Sequence, residues 1–182
     1  MNRPETERFF LKEITQEDIE LIFNGLSNPE VTQYYAVHFP TLKATQEQMD
    51  WFAELRRNGT GIWWGIWSKE NQTFVGAGGF NGLEKEHRKA EIGLWLLPEY
   101  WGRGIMGEVM PLLFHEGFEN LNLNRIEGYV DADNTKCRRA LEKINFSYEG
   151  TMRQVEFKDG KYLDVAIYSI LKEEFSNKPV SL

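Results

Sequence analysis

Gly102, Gly104 and Gly107 fall within the run YWGRGIMGEVM, at the mouth of a helical pattern. Glycine costs about 1 kcal/mol against alanine inside a helix, so a cluster at this point needs a reason. Glycine lets a ligand approach the backbone closely, and the free N–H groups at a helix N-terminus favour phosphate. The cluster therefore points to a phosphate-bearing ligand. Other reactive residues are sparse. His38, His87, His115 and the single cysteine, Cys137, are scattered and form no zinc-like spacing. No metal site is expected, and one cysteine allows no internal disulfide.

Bulk properties narrow the class of partner. The 182 residues, 41% hydrophobic and 27% charged, suit one globular domain spanning 1–182. A net charge of −7 argues against a general nucleic-acid binder, which needs a basic face. It is compatible with a cationic amine or a basic protein as partner. No apolar run reaches the roughly 18 residues of a membrane span. The opening MNRPETERFFLKEI carries charge where a signal peptide needs an apolar core. A cytoplasmic location is the expectation.

The elements that must position the glycines follow from periodicity. A strand is expected over 8–15, then a helix over 15–27 with Thr15 as N-cap and Asp18 completing a near capping box. A short helix or turn follows at 28–35, and a helix over 45–59 is stopped by Gly59. Strands are expected at 61–67, 73–80 and 89–97, with 81–88 as a polar turn. Their connections are too short for crossover helices, so they should be antiparallel. The glycine run opens a helix to about 121, which leads to a strand at 125–132 parallel to 89–97. A helix at 134–144 and a hairpin of 146–157 with 162–175 around Asp159-Gly160 close the chain. The expected fold is mixed α/β: a twisted sheet of about seven strands, mostly antiparallel with one parallel βαβ pair, flanked by helices.

Three readings of the glycines compete. Gly102-x-Gly104-x-x-Gly107 fits a dinucleotide-binding fingerprint, with Asp131 near the place of the ribose-binding acid. Against it, PEYW separates the strand from the first glycine, and the upstream strands form hairpins. The wider spacing fits a P-loop, but Glu108 and Val109 stand where Lys and Ser/Thr belong. The third reading takes in more of the chain. AEIGLWLLPEYWGRGIMGEVM resembles the signature of the GNAT acyltransferases, in which a strand, a proline and a Gly-rich turn lead into a helix. Trp101 and Met106 depart from that family's pattern of Gln or Arg and of a small residue. DADNTKCRRALEKINFSYEGTMR resembles the subgroup that acetylates ribosomal-protein N-termini, through Asn134, Leu141, Glu142, Lys143, Phe146, Glu149, Gly150, Thr151 and Arg153. Cys137 replaces its usual Ser and Asn145 its Gly.

The resemblance implies an acetyl-CoA-dependent N-acetyltransferase, moving acetyl to a primary amine by direct attack in a ternary complex. A protein N-terminal α-amine is the implied acceptor. A small-molecule amine (polyamine, amino acid or aminoglycoside) is the alternative, and a catalytically weak CoA-binding sensor is a third possibility. A homodimer is compatible with the likeness. By the same resemblance the turn of Trp101, Gly102, Arg103, Gly104, Ile105, Met106, Gly107 and Glu108 holds the cofactor pyrophosphate; because a carboxylate is unfavourable beside phosphate, the Glu108 side chain is expected to turn away. Backbone groups of Leu94, Trp95, Leu96 and Leu97 meet the acetyl carbonyl and pantetheine, because their strand splays from its parallel neighbour.

Glu91 alternates with Gly93 and Trp95 on one strand face, and the glycine is expected to leave room for substrate beside the carboxylate. Glu91 is a candidate base for an α-amine of pKa about 7.7–8.0, or else a charged residue on a solvated strand face or in an ion pair. Leu141 occupies the place of the superfamily's frequent tyrosine proton donor. Cys137 is then either the donor to the leaving thiolate or a small buried packing residue. Asn134 binds the pantetheine arm, caps its helix, or does both. Arg138 is the candidate for the 3′-phosphate, with Lys136, Arg139 and Lys143 on the same helix. Of Tyr34, Tyr35, Trp51, Trp63, Trp64 and Trp67, most belong to a core and one or two from 34–51 to the acceptor wall.

Overall fold

The computed structural model describes residues 3–35 and 37–176. Strand β1 (Phe9–Glu13) leads into a 3-10 turn and α1 (Ile19–Leu26), introduced by the Thr15–Asp18 capping box. Helix α2 (Pro29–Thr32) is one turn long, capped by Asn28 and opened by a proline at its first position. Helix α3 (Leu42–Asn58) starts earlier than expected because Thr41 supplies the cap, accepting from the Ala44 N–H at 3.1 Å. Gly59 ends it in the left-handed region, as a helix stop requires.

The middle of the chain is a meander of β2 (Ile62–Ser68), β3 (Phe74–Glu84) and β4 (Lys89–Leu96). Strand β3 runs on through Glu84, so the turn is confined to 85–88 rather than filling 81–88. Helix α4 (Ile105–His115) follows the glycines and finishes in a π turn over Glu116–Asn120. Strand β5 (Arg125–Asp131) and α5 (Thr135–Lys143) precede the hairpin of β6 (Ser147–Lys158) and β7 (Lys161–Leu171). The last strand stops at Leu171, short of the expected 175. Lys172–Ser176 forms α6, which sets Phe175 against Phe114 and Phe118.

All seven strands form one sheet in the order β1-β2-β3-β4-β5-β7-β6, antiparallel except for β4 with β5. Alternation divides the apolar side chains between two faces. Val109, Leu113, Phe114 and Phe118 pack with Phe80, Ile126 and Tyr168 on one side. Ile22, Leu26, Met49 and Phe52 pack with Trp63 and Trp95 on the other. Each such side chain contributes roughly 1.5–3 kcal/mol by leaving water.

The parallel pair is short. Lys89, Ala90 and Glu91 of β4 face Arg125, Ile126 and Glu127 of β5, and the pairing ends there. Beyond it β4 stays paired with β3 as far as Leu96, and β5 stays paired with β7 as far as Asp131. The two strands therefore part, and a wedge opens between them in the middle of the sheet.

Candidate active site

The wedge exposes a strand edge whose polar groups are unpaired by the ladder. Leu97 donates its N–H to Val75 of β3 at 2.9 Å. Antiparallel pairing alternates by residue, so Trp95 also turns its backbone toward β3, while Leu94 and Leu96 turn theirs toward the wedge. Two contacts agree with this. The Trp101 indole N–H donates to the Leu96 carbonyl at 2.8 Å, and the Tyr35 hydroxyl lies close enough to the Leu94 backbone to feel it. Of the four expected residues, Leu94 and Leu96 offer backbone groups to the opening. Trp95 and Leu97 instead bury their side chains in the core.

The glycine turn lies at the wide end of the wedge. Gly102 (φ 72°) and Gly104 (φ 75°) hold left-handed backbone, and Gly104 is the N-cap of α4. A Cβ placed on Gly102, Gly104 or Gly107 would meet nothing within 4 Å. These glycines are not there to let the helix pack tightly on the sheet. They leave open space in front of the unpaired N–H groups of the first turn of α4, a cradle of the kind that accepts a phosphate.

Glu108 is turned away from the cradle, as expected. It accepts from the Thr6 hydroxyl at 2.6 Å and from the Arg8 backbone N–H and Nε at 3.1 and 2.7 Å. Burial alone would raise its pKa, but the hydrogen bonds from Thr6 and Arg8 hold it below the usual carboxylate range. The same Arg8 guanidinium reaches the Arg103 carbonyl at 3.4 Å. Thr6 and Arg8, remote in sequence, thus brace the turn. Met106 packs against the core beneath it, and Arg103 lies over the Tyr100 ring.

At the narrow end stands Glu91, half-buried and accepting from Asn81 Nδ2 at 3.0 Å. Burial raises its pKa, the Asn81 hydrogen bond lowers it, and the carboxylates of Glu127 and Glu156 raise it further. The net shift is upward, toward the range of a useful base. Tyr35 is half-buried, and its hydroxyl is the buried end. That hydroxyl feels both Cys137 and Glu91, and burial keeps it protonated well above its usual range. Nothing in the sequence singled out Tyr35 from its aromatic neighbours, because its place depends on contacts distant in the chain.

Cys137, on α5, packs against the core within electrostatic reach of the Tyr35 hydroxyl, and burial pushes its thiol up to about 11. It remains a thiol at neutral pH, a weak donor rather than a nucleophile. Asn134 accepts from the Cys137 N–H at 3.1 Å and is an ordinary N-cap. Arg138 is turned toward the fold instead of the cradle: it donates to the Tyr168 hydroxyl at 3.1 Å and the Ala132 carbonyl at 3.2 Å.

The space beside Gly93 differs from expectation. A Cβ there would lie 2.5 Å from Trp63 Cη2, so the glycine makes room for an indole and not for a substrate. Trp63 also packs at tilted angles against Trp51 and Phe52, and its indole N–H is buried without a hydrogen-bond partner among the described residues. No group of three or more His, Cys, Asp or Glu among the described residues is placed to hold a metal ion. No helix among them is long and apolar enough to cross a membrane.

Comparison with known proteins agrees with this geometry. Residues 8–147 match the acetyltransferase (GNAT) domain model. The chain is 38% identical over 169 residues to the uncharacterized N-acetyltransferase YoaA of Bacillus subtilis (strain 168), covering 92% of this chain and 96% of that one. Its fold is similar to the crystal structure of spermidine N-acetyltransferase from Vibrio cholerae in complex with CoA and spermine. The TM-score there is 0.85 at 21% identity, covering 94% of this chain and 100% of the other. It is equally similar to RimL, a ribosomal L7/L12 alpha-N-protein acetyltransferase in complex with coenzyme A, with a TM-score of 0.85 at 19% identity, covering 95% and 99%. A sheet split between its one parallel pair, with an open glycine cradle at the mouth of the split, thus sits in a chain that belongs to the GNAT acetyltransferase family, whose members are N-acetyltransferases that use acetyl-CoA.

Proposed function

We propose that the wedge between β4 and β5 is the site of acetyl transfer, with the cofactor pyrophosphate in the cradle of 101–108 and the acceptor amine beside Glu91. The observation that carries this reading is the end of β4–β5 pairing at Glu91, which frees backbone groups next to a carboxylate of raised pKa. Acetyl-CoA supplies an activated thioester. The backbone N–H groups of Arg103 to Glu108 hold its phosphates, with the Arg103 side chain nearby. In this reading the Leu94 N–H, turned toward the wedge, stabilises charge on the acetyl oxygen, and Leu96 lines the arm of the cofactor. Asn134 adds its side chain to that arm while capping α5. Arg138 is already tied to Tyr168 and Ala132, so the exposed face of α5 is left to Lys136 and Arg139.

Glu91 takes the proton of the attacking amine, directly or through a water. Cys137 and Tyr35 both stay protonated at neutral pH and stand at the opening, so either can return a proton to the leaving thiolate. Direct attack in a ternary complex needs no covalent enzyme intermediate.

The acceptor we propose is a protein N-terminal α-amine. Its pKa of about 7.7–8.0 suits a carboxylate base better than an amine near 10 does. One observation favours a polyamine as the second reading: the Glu91 and Glu156 carboxylates gather negative charge at the acceptor side, with Glu127 beyond them tied to Arg125 and Lys89, and recognition of a polycation requires such charge. Steady-state transfer to an unblocked N-terminal peptide and to spermidine separates the two. A higher kcat/KM for the peptide supports the first reading, and a higher value for spermidine replaces it with the second.

A further inference from the structure

The β6–β7 hairpin reaches back across the molecule at its tip. Asp159 (φ 50°) and Gly160 (φ 76°) form its two-residue turn, and Lys158 stands just before it, opposite Lys161. Strand β6 slips register between Met152 and Glu156, where Gln154 (φ 53°) donates its N–H to Asp164 Oδ1 at 2.7 Å. Such bulges bend a strand, and this one carries the tip toward α2.

There the Lys158 ammonium donates to the carbonyl oxygens of Thr32 at 2.9 Å, Gln33 at 3.1 Å and Tyr35 at 2.7 Å. An ammonium has three donors, and all are spent on one stretch of backbone more than 120 residues away. These carbonyls lie where the single turn of α2 runs out and its ladder leaves acceptors open. The next anchors of the segment are modest: Tyr35 N–H to the Thr32 carbonyl at 3.0 Å, and Phe39 N–H to the Leu26 carbonyl at 3.0 Å. From this clamped backbone the Tyr35 ring packs against the cluster of Trp63, Trp95 and Leu97, with its hydroxyl near Leu94 and Glu91. A lysine kept for solubility alone would hold its head in water; Lys158 is half-buried against carbonyls.

We propose that Lys158 is a positioning residue: by clamping 32–35 it fixes Tyr35 over the wedge and so sets the alignment of the acceptor, not the binding of acetyl-CoA. This rests on the reading of the wedge as the transfer site. The clamp touches none of the cradle residues 101–108, so the two functions should separate on mutation.

The test uses Lys158→Met, which keeps the aliphatic stem and removes the donors, and Lys158→Arg, which restores donors. Hydrogen exchange is followed at a peptide covering 33–39. Acetyl-CoA affinity is measured by calorimetry. Transfer is measured with spermidine and with an unblocked peptide as probes. In Lys158→Met, exchange at 33–39 should speed up by about tenfold, and kcat/KM for the better probe should fall by about tenfold. The acetyl-CoA Kd should stay within about twofold of wild type, and Lys158→Arg should recover most of the lost kcat/KM. Unchanged exchange, unchanged kcat/KM, or a loss of acetyl-CoA affinity in proportion to the loss of transfer would each overturn the proposal. A wild-type protein that failed to bind acetyl-CoA would refute the transfer reading, while the exchange experiment would still decide whether the clamp exists.

Discussion

The cradle at 101–108 and the wall that faces β4 from the acceptor side are built on opposite plans. The cradle is made by consecutive residues. Two of its glycines are held at positive φ, and its helix presents N–H groups because helices begin that way. The wall proposed for the acceptor draws on Tyr35, Trp63, Glu91 and Lys158, brought together from four separate stretches of chain. The cradle is a local conformational solution that can be kept while the wall changes. The wall is a tertiary solution in which each part depends on another, and on the function proposed above it is where a choice of acceptor would be encoded.

The sharpest way to break this division is at Glu91. Glu91→Gln should lower kcat by roughly 10²- to 10⁴-fold, the range lost with a general base, and leave acetyl-CoA affinity near wild type. The wild-type rate should rise with pH as Glu91 ionises, above the usual carboxylate range because burial raises its pKa. That limb should vanish in the variant; an unchanged pH–rate profile removes Glu91 as base. The stability effect has the opposite direction. A raised folded-state pKa means that Glu91 favours the fold most at acid pH, where it is protonated, and that this is lost as pH rises through the folded value. Above that value Glu91→Gln should unfold at equal or higher urea concentration than wild type.

The converse lesion is Gly104→Val. A β-branched residue at φ 75° is strained by about 1–3 kcal/mol, and its side chain would enter the cradle. Acetyl-CoA should bind roughly 10- to 100-fold more weakly by calorimetry, with the fold retained. Equal affinity would mean that the phosphates lie elsewhere. Gly93→Ala strikes the wall instead, forcing a Cβ to 2.5 Å from Trp63. Overpacking of this kind costs about 1–3 kcal/mol. Urea unfolding should show that loss while acetyl-CoA affinity stays constant in the folded protein.

The smallest effect should come from Cys137. Cys137→Ala should lower kcat by about threefold and Cys137→Ser should restore it, since a second hydroxyl donor, Tyr35, stands at the same opening. With its thiol pushed up to about 11, Cys137 should add no limb to the pH–rate profile in the neutral range. Equal activity in all three proteins leaves Cys137 as packing alone.

The same division explains what was readable in the sequence. The cradle was legible because glycine spacing and a helix start are local signals, and so was the parallel step from β4 to β5, which needs a helix between them. The orientation of Glu108 could be anticipated, since a carboxylate beside phosphate is unfavourable; its partners Thr6 and Arg8 could not, lying about a hundred residues earlier. Gly93 makes room for an indole rather than a substrate, a choice the sequence leaves open because a glycine in a strand signals close approach without saying of what. Here the visitor is Trp63, from two strands away. Arg138 looked like a free cation on a helix, and only the packing of α5 on β7 reveals Tyr168 beneath it. Tyr35 and Lys158 had no sequence signal, because their meeting depends on a bulged hairpin and a one-turn helix.

The most direct test of the central claim is calorimetric titration of the purified chain with acetyl-CoA, with NADH as the control ligand for the same glycine spacing. The account predicts one-to-one binding of acetyl-CoA in the micromolar range, about −8 kcal/mol, and no heat with NADH. Binding of NADH, or of neither ligand, would contradict it.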